Sequence, residues 1–354
     1  MKKNFAEKMK AVDAQRLAHE ISFGPVVFQV SRLMVKFGIM QSLVDSKDGL
    51  TLEEVVESSG LSRYAVQALL ESSLTAGTVL CHDGRYTASK VGWFLLNDTL
   101  VGVDMDMTHD VIYQGLFYLE ESLKSGKPEG LWKVFGNYPT IYEALSTLPA
   151  DVQRSWFNWD HYYSDQSFDE ALPFAFENAP KRLLDIGGNT GKFALCAVKY
   201  NPDVEVTIVD LPQQIGLMKK FTAGKPGAER ISAYPANMLD ESVSLPKGFD
   251  VLWMSQFISA FSEEELTSVL RRAADAMDSN TRLYINETLW DRQRFDSAAY
   301  CLTQITLYFS CVANGNSKMY NSEDLIRCIN NAGLTVEAIH DGLGKAHSLL
   351  VCKI

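Results

Sequence analysis

The second half of the chain alternates between short apolar runs and longer segments in which apolar residues recur at helical spacing. The runs share strand length and high apolar content, and they read RLLDIG, VEVTIVD, FDVLWMS and TRLYINE. Segments with a helical pattern follow the first three runs, at 191–200, 213–221 and 262–277. This alternation predicts a mostly parallel, doubly wound sheet with helices on both faces. Two further strands, 334–340 and 347–354, are predicted around the turn DGLGK.

The first 103 residues show a different pattern. Residues 1–45 are predicted to be helical and are so dense in apolar side chains that burial against a partner is expected. Thr51 with Glu54 fits a capping box, and Asp83-Gly84 is typical of a hairpin turn. Two short helices followed by a hairpin predict a winged helix-turn-helix.

Residues between these two regions are helical in pattern and rich in aromatic side chains, as in RSWFNWDHYYSDQSF. We therefore expect three parts in the chain. They are a winged-helix dimerisation domain at 1–103, a helical linker beside the substrate pocket at 104–165, and a cofactor-binding domain at 166–354.

Charge and composition narrow the possible partners. The chain has 354 residues and a net charge of -11, whereas nucleic-acid binders usually carry a basic face. The second helix of the winged segment, SRYAVQALLESSLTAG, offers one arginine and no lysine, which favours packing and dimerisation over DNA binding. We expect no nucleic-acid partner.

The N-terminal sequence, the length of the apolar stretches and the spacing of the cysteines favour a cytoplasmic protein. The N-terminus has no unbroken apolar stretch, and no window approaches the roughly 18 apolar residues that a membrane span needs. The six cysteines are scattered and include no CxxC pair, so neither a metal site nor a disulfide framework is expected.

One turn carries most of the chemical information. In RLLDIGGNTGKF, Asp185 closes a strand, and Gly187, Gly188 and Gly191 follow it. The dinucleotide fingerprint G-x-G-x-x-G is incomplete, because Ile186 stands where its first glycine would be. A carboxylate here would repel a pyrophosphate but suits a ligand with an ammonium and a sulfonium. The pattern D-x-G-G-x-x-G therefore predicts S-adenosylmethionine as cofactor.

A second carboxylate supports that prediction. Asp210 ends the next predicted strand about 20 residues further on, where a carboxylate can accept hydrogen bonds from both hydroxyls of a ribose.

A family resemblance rests on four segments, which read DIGGNTG, IVDLP, WMSQFISAFSEEE and IRCINNAGL. In order and spacing the whole chain resembles the class I S-adenosylmethionine-dependent O-methyltransferases of the plant and acetylserotonin O-methyltransferase type. The resemblance implies a domain-swapped homodimer, a small aromatic or conjugated substrate held between the two domains, and S-adenosylhomocysteine as product. It also implies a set of cofactor contacts. Together with the turn, we expect this set to be Asp185, Gly187, Gly188, Asp210, Leu211, Asn237, Met238, Ser255, Gln256 and Tyr163.

The sequence departs from this family where the catalytic base is expected. The resemblance places the family's catalytic histidine on Ser259, its neighbouring aspartate on Ala260 and a supporting glutamate on Met319, whereas a second supporting glutamate matches Glu287. A serine hydroxyl cannot serve as a base near neutral pH, and a phenol with a pKa near 10 usually needs one.

Three explanations are open: another residue replaces the base, the substrate ionises unaided, or methylation has been lost. In the first case His161 is the expected base, with Glu287 as a second catalytic residue. The alternatives to a methyltransferase are a cofactor-binding protein with changed chemistry, such as a decarboxylase or hydroxylase, and a winged-helix regulator that senses the cofactor.

Overall fold

Short helices and one hairpin make up the N-terminal part of the chain. The computed structural model describes residues 9–354 and divides them into two units, which meet in the sequence between Asp106 and Met107. The elements of the N-terminal unit are α1 (Ala11–Ser22), α2 (Gly24–Lys36), α3 (Ile39–Asp45), α4 (Leu52–Ser59), α5 (Arg63–Thr75), β1 (Val79–His82), β2 (Arg85–Ala88), α6 (Lys90–Asn97) and α7 (Thr99–Asp106).

The predicted winged helix is confirmed. Thr51 and Glu54 form the capping box at the start of α4, where the Glu54 amide donates to Thr51 Oγ1 at 3.2 Å and the Thr51 amide donates to Glu54 Oε2 at 2.7 Å. Gly60 ends α4 in a left-handed conformation, and the hairpin β1–β2 turns at Asp83-Gly84. By contrast, no residue of α1 is buried in the single chain.

The C-terminal unit contains nine α-helices and a seven-stranded sheet among the residues that the structure covers. Its helices are α8 (Leu119–Ser125), α9 (Glu129–Val134), α10 (Ile141–Ala144), α11 (Ala150–Ala175), α12 (Lys192–Tyr200), α13 (Pro212–Thr222), α14 (Glu263–Ala276), α15 (Asp296–Tyr308) and α16 (Ser322–Asn331). Its strands are β3 (Arg182–Ile186), β4 (Glu205–Asp210), β5 (Ile231–Pro235), β6 (Val251–Ser255), β7 (Arg282–Glu287), β8 (Thr335–Leu343) and β9 (His347–Lys353).

The sheet has the order β5-β4-β3-β6-β7-β9-β8, and its first five strands are parallel. The chain runs outward from β3 through β4 to β5 and then returns to pair β6 with β3. This reversal of strand order creates a crevice at the carboxyl ends of the strands, where open α/β sheets bind their ligands. β9 is antiparallel to both β7 and β8, as expected for the final pair around a turn.

Apolar layers cover both faces of this sheet. On one face Leu252, Met254 and Ile285 pack against α14 and α16, while on the other Trp253 and Val206 pack against α11 and α12. Trp253 is fully buried, and its ring stacks on Phe193 of α12 with centroids 4.0 Å apart. Each such buried aromatic side chain stabilises the fold by roughly 1.5–3 kcal/mol. This packing fixes α12 and the turn before it against the sheet.

Two features differ from the pattern in the sequence. The edge strand β5 was not predicted, because its alternating exposed positions lack a continuous apolar run. The helix α11 runs without interruption from Ala150 to Ala175, across the boundary expected at residue 165. Its first half therefore belongs to the same compact unit as the sheet.

None of the described helices is both long and apolar enough to cross a membrane.

Candidate active site

A cavity lies at the carboxyl ends of the parallel strands, entirely within the C-terminal unit. Its lining residues come from the segments that follow β3, β4, β5 and β6, from α10 and α11, and from the end of α15. Its volume is about 1380 Å³, including the solvent space at its mouth.

Glycine is required in the turn after β3 because other atoms lie very close to the backbone. Gly187 has a φ of 80°, and a Cβ there would meet the Phe257 ring at 2.2 Å. A Cβ on Gly188 would lie 2.7 Å from Asp185 Oδ2. Neither position can accept a side chain without displacing these atoms, so the turn requires glycine at both.

Asp185 is the most deeply buried carboxylate in this turn. It is 2% exposed, and its Oδ2 has no hydrogen-bond partner among residues 9–354. Burial, together with the nearby charge of Asp210, raises the pKa of Asp185 to about 8. A buried carboxylate without a partner is stabilised by a positively charged ligand group, since such a group favours the ionised form.

Asp210 stands at the end of β4 and is held in place by backbone amides. Its Oδ2 accepts from the Asn189 amide at 2.8 Å, and its Oδ1 accepts from the Leu211 amide at 2.7 Å. Burial raises the pKa of Asp210 to about 6 despite these bonds. Each carboxylate oxygen retains a lone pair, so Asp210 can still accept two hydroxyl groups.

The segments after β5 and β6 complete this end of the cavity. Asn237 and Met238 line it, but Asn237 Oδ1 already accepts from the Leu239 amide at 2.9 Å. Its amide group therefore has one acceptor lone pair and its NH₂ left for a purine ring. Ser255 also lines the cavity, and its Oγ accepts from Asn286 Nδ2 at 3.0 Å.

Helix α11 is tied to the glycine turn by two polar links. Asn189 Nδ2 donates to Asp160 Oδ2 at 3.0 Å, and Lys192 Nζ donates to Asp165 Oδ2 at 2.7 Å. His161 Nδ1 lies 3.4 Å from Asp165 Oδ1 and 4.0 Å from Asp160 Oδ2. All of these side chains line the cavity. The links place the titratable groups of α11 directly beside the turn.

Aromatic side chains line another part of the same cavity. Trp156 Nε1 donates to the Tyr308 hydroxyl at 2.7 Å, and the Tyr142 ring packs edge-on against Trp156. Trp159 packs at a tilt against Tyr308. Burial raises the pKa of Tyr308, so its hydroxyl stays protonated. These rings form an apolar surface that suits a flat ligand.

The positions where the family keeps its catalytic groups are close to this surface. Ser259, Ala260 and Met319 all line the cavity, and none of them can take up a proton near pH 7. Glu287 is 1% exposed and is not among the lining residues. Its Oε1 accepts from the Thr288 amide at 3.1 Å, whereas its Oε2 has no partner in the described chain. Burial raises the pKa of Glu287 to about 8.

The structure brings most of the expected site residues together. Those that line the cavity are Asp185, Gly187, Gly188, Asp210, Leu211, Asn237, Met238, Ser255, Gln256 and His161. Tyr163 and Glu287 are not among the lining residues, and Tyr163 packs edge-on against Trp159 and Tyr162. The role of each residue stays a prediction.

Several lining residues were not expected from the sequence, and among them are Tyr142, Glu143, Lys192 and Tyr308. Lys192 directly follows the glycine turn, so its position could have suggested it. The other three lie outside any motif and reach the cavity only through the fold. Within the described residues, no group of three or more His, Cys, Asp or Glu side chains is placed to hold a metal ion.

The cavity therefore fits S-adenosylmethionine on structural grounds. The glycine turn lines the cavity, Asp185 offers an unpaired carboxylate to positive charge, and Asp210 offers acceptors to a ribose.

Comparisons with known proteins agree with this geometry. Residues 15–86 match the model of the Dimerisation2-like domain, and residues 117–333 match that of the O-methyltransferase domain. The L-tyrosine C(3)-methyltransferase of Streptomyces lavendulae is 24% identical over 325 residues, which cover 90% of this chain and 86% of the relative. The demethylspheroidene O-methyltransferase of Rhodobacter capsulatus is also 24% identical, and the match covers 89% of this chain and 76% of the relative.

A solved structure shows the same fold. The O-methyltransferase NcsB1 from neocarzinostatin biosynthesis, in complex with S-adenosylmethionine and 2-hydroxy-5-methyl naphthoic acid, superposes with a TM-score of 0.68. The two chains are 17% identical, and the match covers 92% of this chain and 95% of NcsB1.

The fold and the site define a methyltransferase that uses S-adenosylmethionine. The chain belongs to the O-methyltransferase domain family, whose model matches more than half of its length.

We expect cofactor binding to release a proton near pH 7. With a pKa of about 8, Asp185 is mostly protonated at pH 7 before binding, and the positive charge of the cofactor favours its ionised form. Affinity should therefore rise as the pH rises from 6 towards 8. Calorimetry at pH 7 in two buffers of different ionisation enthalpy measures the released proton.

In that experiment Asp185→Asn should release fewer protons and bind S-adenosylmethionine more weakly. The same change at the exposed Asp151 of α11 is the control and should match the wild type. Equal proton release by the wild type and Asp185→Asn would show that Asp185 does not face the cofactor.

Proposed function

We propose that the chain transfers the methyl group of S-adenosylmethionine to a phenolic oxygen of a flat aromatic small molecule. One observation carries the proposal: the aromatic surface of Tyr142, Trp156 and Tyr308 lines the same cavity as Asp185 and Asp210. When bound, the cofactor supplies a methyl group made electrophilic by its sulfonium. The protein's part is to hold the acceptor in line with that methyl group and to accept the proton of the hydroxyl.

The relatives support an aromatic acceptor. One is named for L-tyrosine, and NcsB1 is solved with a hydroxylated naphthoic acid. The first of these also favours a second candidate function, which is methylation of the ring carbon next to the phenolic oxygen. Both reactions need the same phenolate, because ionisation makes the oxygen and the adjacent carbon nucleophilic. Analysis of the product by nuclear magnetic resonance distinguishes a methoxy group from a ring methyl group.

His161 is the proposed base. Asp165, anchored by Lys192, lies 3.4 Å from His161 Nδ1 and can accept the proton on that nitrogen. In that orientation Nε2 carries the free lone pair and takes the proton from the substrate hydroxyl. Glu287 is the second proposed catalytic residue, and Tyr163 keeps its proposed contribution to the cofactor site.

An enzyme is favoured over a winged-helix regulator. Arg63, the arginine of the second helix of the winged segment, faces Glu53 at 3.4 Å and donates to Gln67. A regulator needs such a cation free to contact phosphates. The alternative is a protein that binds the cofactor but catalyses another reaction, such as decarboxylation. An assay for methyl transfer would then detect no methylated product.

The assembly is proposed to be a homodimer in the cytoplasm. Exposed apolar side chains lie along α1 and at the start of α2. They include Val12, Ile21 and Phe23, each more than 60% exposed. A group of large apolar side chains exposed in this way is typical of an interface. No disulfide joins any of the six cysteines, which fits a reducing compartment.

The dimer is tested by sedimentation velocity at micromolar concentration. The wild type should sediment with twice the mass of one chain, because a second copy covers the apolar surface of α1. The double variant Ile21→Asp, Phe23→Asp should shift it to monomer or aggregate. A wild type that sediments as a monomer would contradict the proposed assembly.

The base is tested by His161→Ala. Turnover should fall by roughly 10² to 10⁴ on a weakly acidic phenol, since general-base catalysis contributes that much, while cofactor affinity stays unchanged. The loss should shrink on phenols with electron-withdrawing substituents, which ionise unaided. Transfer of labelled methyl groups measures both rates.

Ser259→Ala is the matched control in the same cavity and should be nearly silent, because this hydroxyl is not a base. Wild-type turnover by His161→Ala on a weakly acidic phenol would exclude His161 as the base and favour ionisation of the substrate itself.

A further inference from the structure

The charges that line the cavity are strongly unbalanced. Its lining includes five carboxylates, Glu143, Asp160, Asp165, Asp185 and Asp210. Among residues 9–354 the lining also includes one lysine, Lys192, one histidine, His161, and no arginine. An uncompensated charge in a partly buried site is unfavourable unless a ligand or a proton balances it.

Four of the five carboxylates have an identified partner or task. Asp165 pairs with Lys192 at 2.7 Å, and Asp160 accepts from Asn189 at 3.0 Å. Asp185 and Asp210 belong to the cofactor end described above. Two carboxylates are thus held by protein groups, and two are assigned to the cofactor.

Glu143 is the fifth, and the protein does not balance it. This side chain is partly buried on α10, and it has no hydrogen bond or ion pair with any described residue. Burial alone raises the pKa of Glu143, with no cation to oppose the effect. A carboxylate in this state is available to a charged group of the ligand.

Glu143 lines the same cavity as the aromatic surface of Tyr142, Trp156 and Tyr308. Tyr142 precedes it in the chain, and the Tyr142 ring packs on Trp156 with centroids 6.2 Å apart. An ammonium group close to such ring faces also gains cation–π attraction. Carboxylate and rings together suit a cation attached to a flat ring system.

We infer that the methyl acceptor is a phenol that carries an ammonium group, and that Glu143 binds this group. The inference deepens the proposed function and rests on it. The same surplus of negative charge opposes acceptors that carry a carboxylate as their only ionised group, because they would bring further negative charge into the cavity. An aromatic amine is therefore favoured over a hydroxy-aromatic acid.

The test uses three probes that share a phenol ring and differ in charge. They are tyramine, 4-ethylphenol and 3-(4-hydroxyphenyl)propanoate, titrated calorimetrically into protein saturated with S-adenosylhomocysteine. Tyramine should bind at least about tenfold more tightly than 4-ethylphenol, as expected for a charge-assisted hydrogen bond, and the propanoate should bind most weakly.

Glu143→Gln should remove the preference for tyramine and leave the affinity for S-adenosylhomocysteine unchanged. Glu121→Gln, the same change at an exposed position of α8, should retain the preference. Equal affinities for tyramine and 4-ethylphenol, tighter binding of the propanoate, no detectable binding of tyramine, or a preference that survives Glu143→Gln would each overturn the inference.

Transfer of labelled methyl groups separates this inference from the proposed function. Methylation of 4-ethylphenol as fast as tyramine would leave the proposed function standing and refute the ammonium site. Binding of tyramine that depends on Glu143, without methylation of any phenol, would support the ammonium site and refute the proposed function.

Discussion

Two hydrogen bonds from Asn189 join the parts of the molecule on which the site depends. Its backbone amide donates to Asp210 at the end of β4, and its side chain donates to Asp160 on α11. The residue adopts a left-handed φ of 49°, a conformation that asparagine tolerates better than most residues. Through this one position the glycine turn, the carboxylate proposed to bind the ribose, and the helix that carries His161 and Trp156 keep a fixed relation. The cofactor and its acceptor can then meet in one cavity.

The second constraint is electrostatic. Burial raises the pKa of Asp185 to about 8, that of Glu287 to about 8 and that of Asp210 to about 6. No cation among residues 9–354 is bonded to these three carboxylates to oppose the effect. Lys192, the one lysine that lines the cavity, is held by Asp165. Protons or positively charged ligand groups therefore balance these carboxylates. This accounts for the proposed preference for a sulfonium cofactor over a dinucleotide, and for the proposed binding of an ammonium group by Glu143.

The sequence predicted those parts of the site that depend on local pattern. Asp185, the glycines after it and Asp210 could be placed because strand ends and glycine turns leave a signature within about ten residues. Tyr142, Glu143 and Tyr308 could not be placed, since short apolar segments without a motif bring them to the cavity only after the chain folds. His161 was singled out from its polar neighbours in WDHYYSD, but its pairing with Asp165 and the link from Asp165 to Lys192 needed the path of α11.

A crystal structure with bound S-adenosylhomocysteine would test the central claim most directly. The account predicts the ribose hydroxyls on Asp210, the ammonium within hydrogen-bond distance of Asp185, and the bond between Asn189 and Asp160 intact beside them. The thioether sulfur should face the aromatic surface of Tyr142, Trp156 and Tyr308, since a methyl group on that sulfur has to reach the acceptor. A cofactor bound outside this cavity, or bound within it with its sulfur turned away from those rings, would contradict the account.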